Sequence, residues 1–294
     1  MRLEWSRLRI LDAVARTGSV NQAAALLHLT GPAVSQQLRR IEQEAGTRVV
    51  TPDGRGLRLT DAGRILAGYA SRVTELMQRA ENELQHDDEI AGPVRIGAIA
   101  SSIRDLLTPR LAQLGSAHPD IAVSIEDGET DDHLQRLSTG HLDIVIAESW
   151  ANAPLTLPAG VISTELMTQS AYATAPSDHW TASVTEVDLS DLTAETWSTC
   201  ARGSRDHEAL VQAGRSRGVE LDVRHFVADP LTQLSLVARG LALACLAYST
   251  PPADTEKVVF RRLTPTTERT ILLLTDDRVP ARAVETVRDA LLVG

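Results

Sequence analysis

Along this chain the spacing of apolar positions changes twice, and each change marks a different architecture. Up to about residue 60, short stretches with helical spacing run into a Gly-rich hairpin pattern around Gly54 and Gly56. From about 61 to 89 there is no proline, and the last glycine is Gly68. Here Leu66, Tyr69, Val73, Leu76, Met77, Ala80 and Leu84 recur at intervals of three and four, while Arg72, Glu75, Arg79, Glu81 and Glu83 occupy the other faces. That pattern predicts one long helix with a single apolar stripe. The acidic run 87–89 and Gly92-Pro93 end it.

From Pro93 onward, strand-like and helix-like runs alternate. Strands are expected at 94–99, 121–125 and 142–147, with helices at about 101–114 and 131–137 between them. A βαβαβ order implies parallel strands with helices on the sheet faces. A second unit follows: strands at 196–200, 223–228 and 241–247, a helix at 205–217, and a helix that Asp229-Pro230 opens and Gly240 stops. Two strands and a helix beginning near Pro280 complete the chain. The fold class is α+β and multidomain. The expected domains are 1–60, 61–90 and 91–294, the last divided into one lobe of 91–163 with 256–294 and another of 164–255.

Charge divides the chain in the same way. The net charge is −10, yet residues 1–60 carry nine arginines against five acids, a net of +4 that leaves −14 on the remainder. A basic head on an acidic body confines phosphate contact to the head. Because the head is only modestly basic, tight binding to a polyphosphate surface needs two or more heads together. The composition, 43% hydrophobic and 23% charged, is that of a globular protein. The longest apolar stretch, Leu241–Tyr248, falls far short of the roughly 20 residues that span a bilayer. No signal-peptide pattern opens the chain, so a cytoplasmic protein with no membrane partner is expected. Cys200 and Cys245 have no metal-ligand spacing and form no disulfide framework, and neither a metal nor another cofactor is expected.

The sharpest local pattern lies at 18–46. Gly18-Ser19 opens a helix whose Ala23-Ala24-Ala25 lets another helix cross closely, and His28 falls in a turn. Thr30 is placed to cap a second helix with Pro32 in its first turn. In that helix Val34, Leu38 and Ile41 share one face, and Ser35, Gln36, Arg39 and Arg40 lie on others. Two helices joined by a tight turn fit a helix-turn-helix that enters the major groove; a purely α-helical protein–protein module is the alternative. The segments Gly18 to Glu42 and Gly54 to Gly63, followed by a long helix and Val94-Arg95-Ile96-Gly97, resemble the LysR-type family of transcription regulators. The resemblance covers the whole chain and is tightest over about the first 65 residues.

That resemblance implies a winged helix-turn-helix, a linker helix that pairs chains into homodimers or homotetramers, and a two-lobed α/β effector domain similar to periplasmic binding proteins. It also implies that Gln36 reaches base edges in double-stranded DNA, that Ser35, Pro32 and Thr30 touch backbone or thymine methyls, and that Arg55 enters the minor groove from the wing. Ser19, Arg39 and Arg40 complete the candidate DNA contacts, although a solvated helix face explains the two arginines equally well. The chain departs from the family pattern at Gly31, where Gln is usual, at Pro52, where Arg is common, and at Ala242, where a second glycine is expected.

In the effector half, Ser101, Ser102, Thr130, Gly203 and Ser204 follow strand ends at helix starts, where backbone N–H groups favour anions. Simple helix capping accounts for the hydroxyls equally well. Uncharged hydroxyls suit a small carboxylate or a polar metabolite as the effector, with Arg104 and Arg202 near in sequence. A redox-sensing pair of Cys200 and Cys245 would require two reactive thiols close together. The chain has no Gly-Xaa-Ser-Xaa-Gly elbow and no His-Glu-Xaa-Xaa-His, and the glutamate before Lys257 rules out a P-loop, so an enzyme is not expected. A solute-binding protein would not need the basic head.

Overall fold

The helical spacings of the first segment form three short helices, a hairpin and one long helix. The computed structural model describes residues 4–53, 56–85, 90–277 and 281–292. The chain forms two compact units, Met1–Glu89 and Ile90–Gly294. In the first, α1 (Trp5–Thr17), α2 (Val20–Leu26) and α3 (Gly31–Ala45) precede an antiparallel hairpin of β1 (Val50–Asp53) and β2 (Gly56–Leu59), and then α4 (Asp61–Gln85). Leu11, Val14, Ala23, Ala24, Val34, Leu38, Ile41 and Val49 form its core. Ala23 and Ala24 are small enough for α2 to be buried between its neighbours, as expected.

The start of α4 is locked onto the hairpin. The Thr60 hydroxyl donates to the Arg48 carbonyl at 2.7 Å and accepts from the Gly63 N–H at 3.0 Å. A Cβ on Gly63 would lie 1.9 Å from the Val49 carbonyl oxygen, so only glycine lets the helix approach β1 this closely. Ala67 joins the core and Ala70 is buried too, a face of α4 that the predicted stripe did not include. Leu66, assigned to the stripe, packs partly against this core, whereas Ile65, Tyr69 and Met77 stand exposed. The side chains of Leu76, Ala80 and Leu84 lie outside the described residues.

The second unit is built on one continuous sheet with β3 (Gly92–Ala98), β4 (Ile121–Asp127), β5 (Ile144–Trp150), β6 (Val161–Pro176), β7 (Glu186–Asp188), β8 (Thr196–Thr199), β9 (Asp222–Phe226), β10 (Leu243–Tyr248), β11 (Val258–Thr264) and β12 (Glu268–Asp276). Its main path is β4-β3-β5-β12-β6-β10-β8-β9. Within each lobe the expected parallel pairing is present, β3 with β4 and β5, and β8 with β9 and β10. The lobes have separate cores, one around Ile96, Ile144 and Leu273 and another around Trp197, Leu210 and Leu243.

The strand β6 joins them. Its first part pairs antiparallel with β12 in the first lobe, and its second part pairs with β10 and β11 in the second. The expected division that gave 256–294 to the first lobe is therefore corrected at β11, whose Val259 and Leu263 pack into the second lobe's core. Spacing alone revealed nothing at 161–176, because this strand shows no clean alternation and begins with a largely exposed stretch.

Helices flank the sheet: α5 (Ala100–Ser102), which continues through a π turn (Ile103–Leu107) into α6 (Thr108–Ala117), then α7 (Thr130–Ser138), α8 (Arg205–Ser216), α9 (Pro230–Val237) and α10 (Arg282–Leu292). Leu142 and His133 crowd Gly97 in β3, where a Cβ would come within 2.5 Å of the Leu142 side chain. That crowding accounts for the glycine of the Val94-Arg95-Ile96-Gly97 motif. No helix among the described residues is long and apolar enough to cross a membrane.

Candidate functional site

The head presents a polar helix face over an apolar one. In α3, Val34, Leu38 and Ile41 are buried, while Pro32, Gln36, Arg39 and Arg40 are exposed and Ser35 is half-buried. The Thr30 hydroxyl accepts from the Ala33 N–H at 3.4 Å, so this side chain serves as the helix cap and Pro32 sits in the first turn. Ser19 occupies the cap position of α2, but its side chain makes no capping bond. His28, in the turn between α2 and α3, adopts φ 55°. Glu42 supports the wing from behind: its carboxylate accepts from the Val49 and Val50 N–H groups. A Cβ on Gly31 would meet the Asn21 side-chain oxygen at 2.9 Å, so the usual longer residue would have to push that amide aside. Among the described residues, neither Arg39 nor Arg40 has an acidic partner, whereas Arg7 pairs with Glu4 and Glu44. Arg55 lies outside the described residues.

In the second unit, a cleft of about 730 Å³, including the solvent at its mouth, opens between the lobes. One wall comes from the carboxyl ends of β3, β4 and β5, with Ser101, Asp127, Glu129 and Glu148. The other comes from Cys200 after β8, Asp206 on α8, Gln233 on α9 and the end of β10. This is where open α/β sheets bind ligands.

Of the predicted effector contacts, the structure brings only Ser101 into this lining. The other hydroxyls have local work. Thr130 is 2% exposed and its hydroxyl accepts from the Glu148 N–H, so it holds the strand that carries Glu148. Ser204 caps α8 by accepting from the His207 N–H, and the Gly203 N–H donates to His207 Nδ1. Ser102 is buried where the short helix passes into the π turn, and its side chain makes no capping bond. Arg202 lies over the Phe226 ring at 4.2 Å, away from the lining.

Among the charged residues that line the cleft, five are acidic and two are basic. Its two guanidiniums are engaged: Arg269 with Glu148 at 3.3 Å and with Gln169, Arg104 with Asp105 at 2.8 Å and Asp229 at 3.7 Å. Among the described residues no cation pairs with Asp127, Glu129 or Asp206. Burial pushes the Glu148 carboxyl up to about 7, outweighing the attraction of Arg269, with Asp206 and Glu129 adding to the rise. Burial also raises Glu129, helped by Asp206, Asp127 and Asp132. The same surroundings push the Cys200 thiol well above its usual range, and burial does so for Cys245. Thiols held in the neutral form are poor nucleophiles, which opposes the redox-sensing reading. Spacing rules could not have found Glu129, Asp206 or Gln233. The one available signal was Glu148, a charged residue inside the apolar run of β5.

Residues 87–293 match the family described as LysR substrate binding domain, and residues 5–64 match the bacterial regulatory helix-turn-helix protein, lysR family. The chain belongs to the LysR family. As a LysR-type transcription regulator it binds DNA through its head and a small-molecule effector through its second unit. It is 30% identical over 280 residues to the small neutral protease regulatory protein of Streptomyces coelicolor, covering 93% of this chain and 87% of that one. It is 28% identical over 262 residues to the RuBisCO operon transcriptional regulator of Allochromatium vinosum, covering 87% and 83%. A full-length OxyR variant from Pseudomonas aeruginosa shares the fold with a TM-score of 0.75 at 22% identity, covering 99% of this chain and 98% of that one. Full-length CbnR complexed with its target DNA shares it at 0.63 and 20% identity, over 98% and 100%.

Proposed function

We propose that this LysR-type regulator works in the cytoplasm as a homodimer or homotetramer. In this reading α3 recognises a DNA site with dyad symmetry, and a small molecule held in the interlobe cleft switches the protein. The observation that carries the proposal is the division of α3 into a buried apolar face and an exposed face bearing Gln36, Arg39 and Arg40, the two arginines without acidic partners among the described residues. Gln36 reads a base edge, while Ser35, Pro32, Thr30 and Ser19 border the backbone. Arg39, Arg40 and Arg55 supply charge to phosphates and the minor groove.

Oligomerisation follows from α4. Ile65, Tyr69 and Met77 stand exposed on one helix at helical spacing, and pairing with a second copy removes them from water. The domain limits 1–60, 61–90 and 91–294 remain useful as functional parts, reading, pairing and sensing. The cleft's charge bears on the effector class. A small carboxylate would face Asp127, Glu129 and Asp206 with both guanidiniums already engaged, so the polar-metabolite expectation fits better than the carboxylate one.

The test is a binding-site selection with wild type and Gln36→Ala. The variant relaxes preference at one base per half-site and costs about 1–3 kcal/mol. Unchanged affinity and preference would remove α3 from the major groove.

A further inference from the structure

Two ion pairs join the lobes across the cleft, and among the described residues no cation pairs with Asp127, Glu129 or Asp206 in its lining. In one, Arg205 of the second lobe pairs with Asp131 of the first at 2.7 Å. In the other, Arg104 of the first lobe reaches Asp229 of the second at 3.7 Å. Apart from these pairs, the walls present acceptors to each other. Glu129 and Asp127 come from the first lobe and Asp206 from the second. Asp206 is 7% exposed; it accepts from the Thr199 hydroxyl at 2.6 Å and the Cys200 N–H at 3.2 Å, both neutral donors. Glu129 receives a hydrogen bond from the Ala201 N–H, also neutral. Among the described residues, Glu129 and Asp206 on opposite walls therefore share a site with no cation paired to either, the lining guanidiniums Arg104 and Arg269 being engaged elsewhere.

Gln233 gives independent evidence of the missing group. It is 0% exposed and lines the cleft. Its Nε2 donates to the Val227 carbonyl at 2.8 Å, which fixes the orientation of the amide. Its Oε1 is then a buried acceptor that no donor among the described residues satisfies. A buried acceptor without a donor is costly, and a ligand N–H repairs it. Nor are the carboxylates gathered for a metal: among the described residues no three His, Cys, Asp or Glu side chains come together as one would require. Ile99, Leu246 and the ring of Tyr248 complete the lining and suit a short apolar body.

We propose that the effector is a small organic cation, an amine or guanidine, whose N–H groups bridge Glu129 and Asp206 across the cleft and satisfy Gln233 Oε1. This rests on the reading of the interlobe cleft as the effector site and names its chemistry. The cation supplies to these carboxylates what Arg205 and Arg104 supply in the two ion pairs. Its affinity is highest for the arrangement that brings the two walls together, and that difference is what shifts the regulator between states.

The probes are butylguanidine and diaminobutane, set against butyrate and succinate, with the full-length protein in isothermal titration calorimetry and in operator-binding assays. Both cations should bind and change operator affinity, and both carboxylates should fail. Glu129→Gln and, separately, Asp206→Asn should weaken the cations at least tenfold while effector-free operator binding stays intact. Gln233→Met should weaken them by a smaller factor. A thermal melt of each variant checks that it is folded, and a folded Glu129→Gln suffices if Asp206→Asn unfolds.

Carboxylates that bind wild type and are weakened by Ser101→Leu would overturn the cation while leaving the cleft as the effector site. Cations that bind equally well to the Glu129 and Asp206 variants would overturn the proposed contacts. If no probe of either charge binds, the cation proposal fails. A wild-type protein that binds its operator but responds to no metabolite of any charge would overturn the effector-switched reading itself.

Discussion

The DNA-reading head and the interlobe cleft solve opposite electrostatic problems. In α3 the charged side chains stand on the surface, and Arg39 and Arg40 have no carboxylate beside them among the described residues. In the cleft, Asp206 and Glu148 are almost wholly enclosed. An exposed cation waiting for phosphate costs the free protein little, because water solvates it. A buried carboxylate carries a desolvation penalty until something answers it. The head can therefore hold its free cations at little cost, whereas the cleft, on the reading proposed above, gains from a ligand that answers its carboxylates. That asymmetry is what a sensor attached to a reader requires.

The largest expected effect would break the head's side of this comparison. If the head is only modestly basic, one copy binds weakly and pairing through α4 provides the affinity. Replacing Tyr69 and Met77 together with aspartate should yield monomers in light scattering. Operator affinity should fall by about a hundredfold, the scale lost when two linked sites become independent. A double variant that stays oligomeric and binds normally would move the main interface to the second unit.

Next in size is Gly63→Ala, which forces a methyl group against the Val49 carbonyl. It should destabilise the head by about 1–3 kcal/mol, as overpacking does, with the loss seen in thermal melts of the full chain. Ligand binding in the cleft should be unaffected. Smaller still is Arg39→Ala or Arg40→Ala: each should reduce the slope of log affinity against log salt by about one and leave base preference unchanged. An unaltered salt slope would return both arginines to a plain solvated face.

The smallest effect sharpens the cleft's side. Glu148 has a folded-state pKa raised to about 7, above the ordinary 4.5, and it faces Arg269 on β12, Asp206 on α8 and Glu129 before α7. Its neutral form suits burial, so its contribution to stability is fully present below the ordinary value and lost as pH rises through about 7. Wild type should therefore lose melting temperature relative to Glu148→Gln between about pH 5 and pH 8. Parallel melting curves across that window would mean that Arg269 compensates the charge fully.

Much of the head was legible because its determinants are local. Thr30, Pro32 and the trio Val34, Leu38 and Ile41 lie within a few turns of one another, and each obeys a short-range rule that the structure satisfies. The exceptions were a matter of packing: Ile65 and Leu66 are adjacent in sequence but face different surroundings. The cleft was legible in its location and not in its lining. Ser204 and Thr130 stand where ligand-binding hydroxyls would, but an N–H of the same chain reaches each first. Glu129, Asp206 and Gln233 meet only because three distant segments fold toward one point, and no spacing rule spans such separations. The strand β6 was missed for a related reason, since its partners β10, β11 and β12 all come later in the chain.

The position of β12 has a consequence for synthesis. It lies between β5 and β6 in the sheet, yet it is nearly the last element to leave the ribosome. Until it emerges, β5 and the first part of β6 each expose an unpaired edge, the kind of surface on which chains join one another. The reading head, by contrast, has all of its elements before residue 90 and can fold first, as N-terminal domains commonly do. A chain interrupted before Glu268 would thus carry a finished DNA-binding part beside a sensor with two open edges. Such a fragment should be sticky, short-lived and unable to answer its effector, so the order of assembly favours release of the regulator only when its sensor is complete.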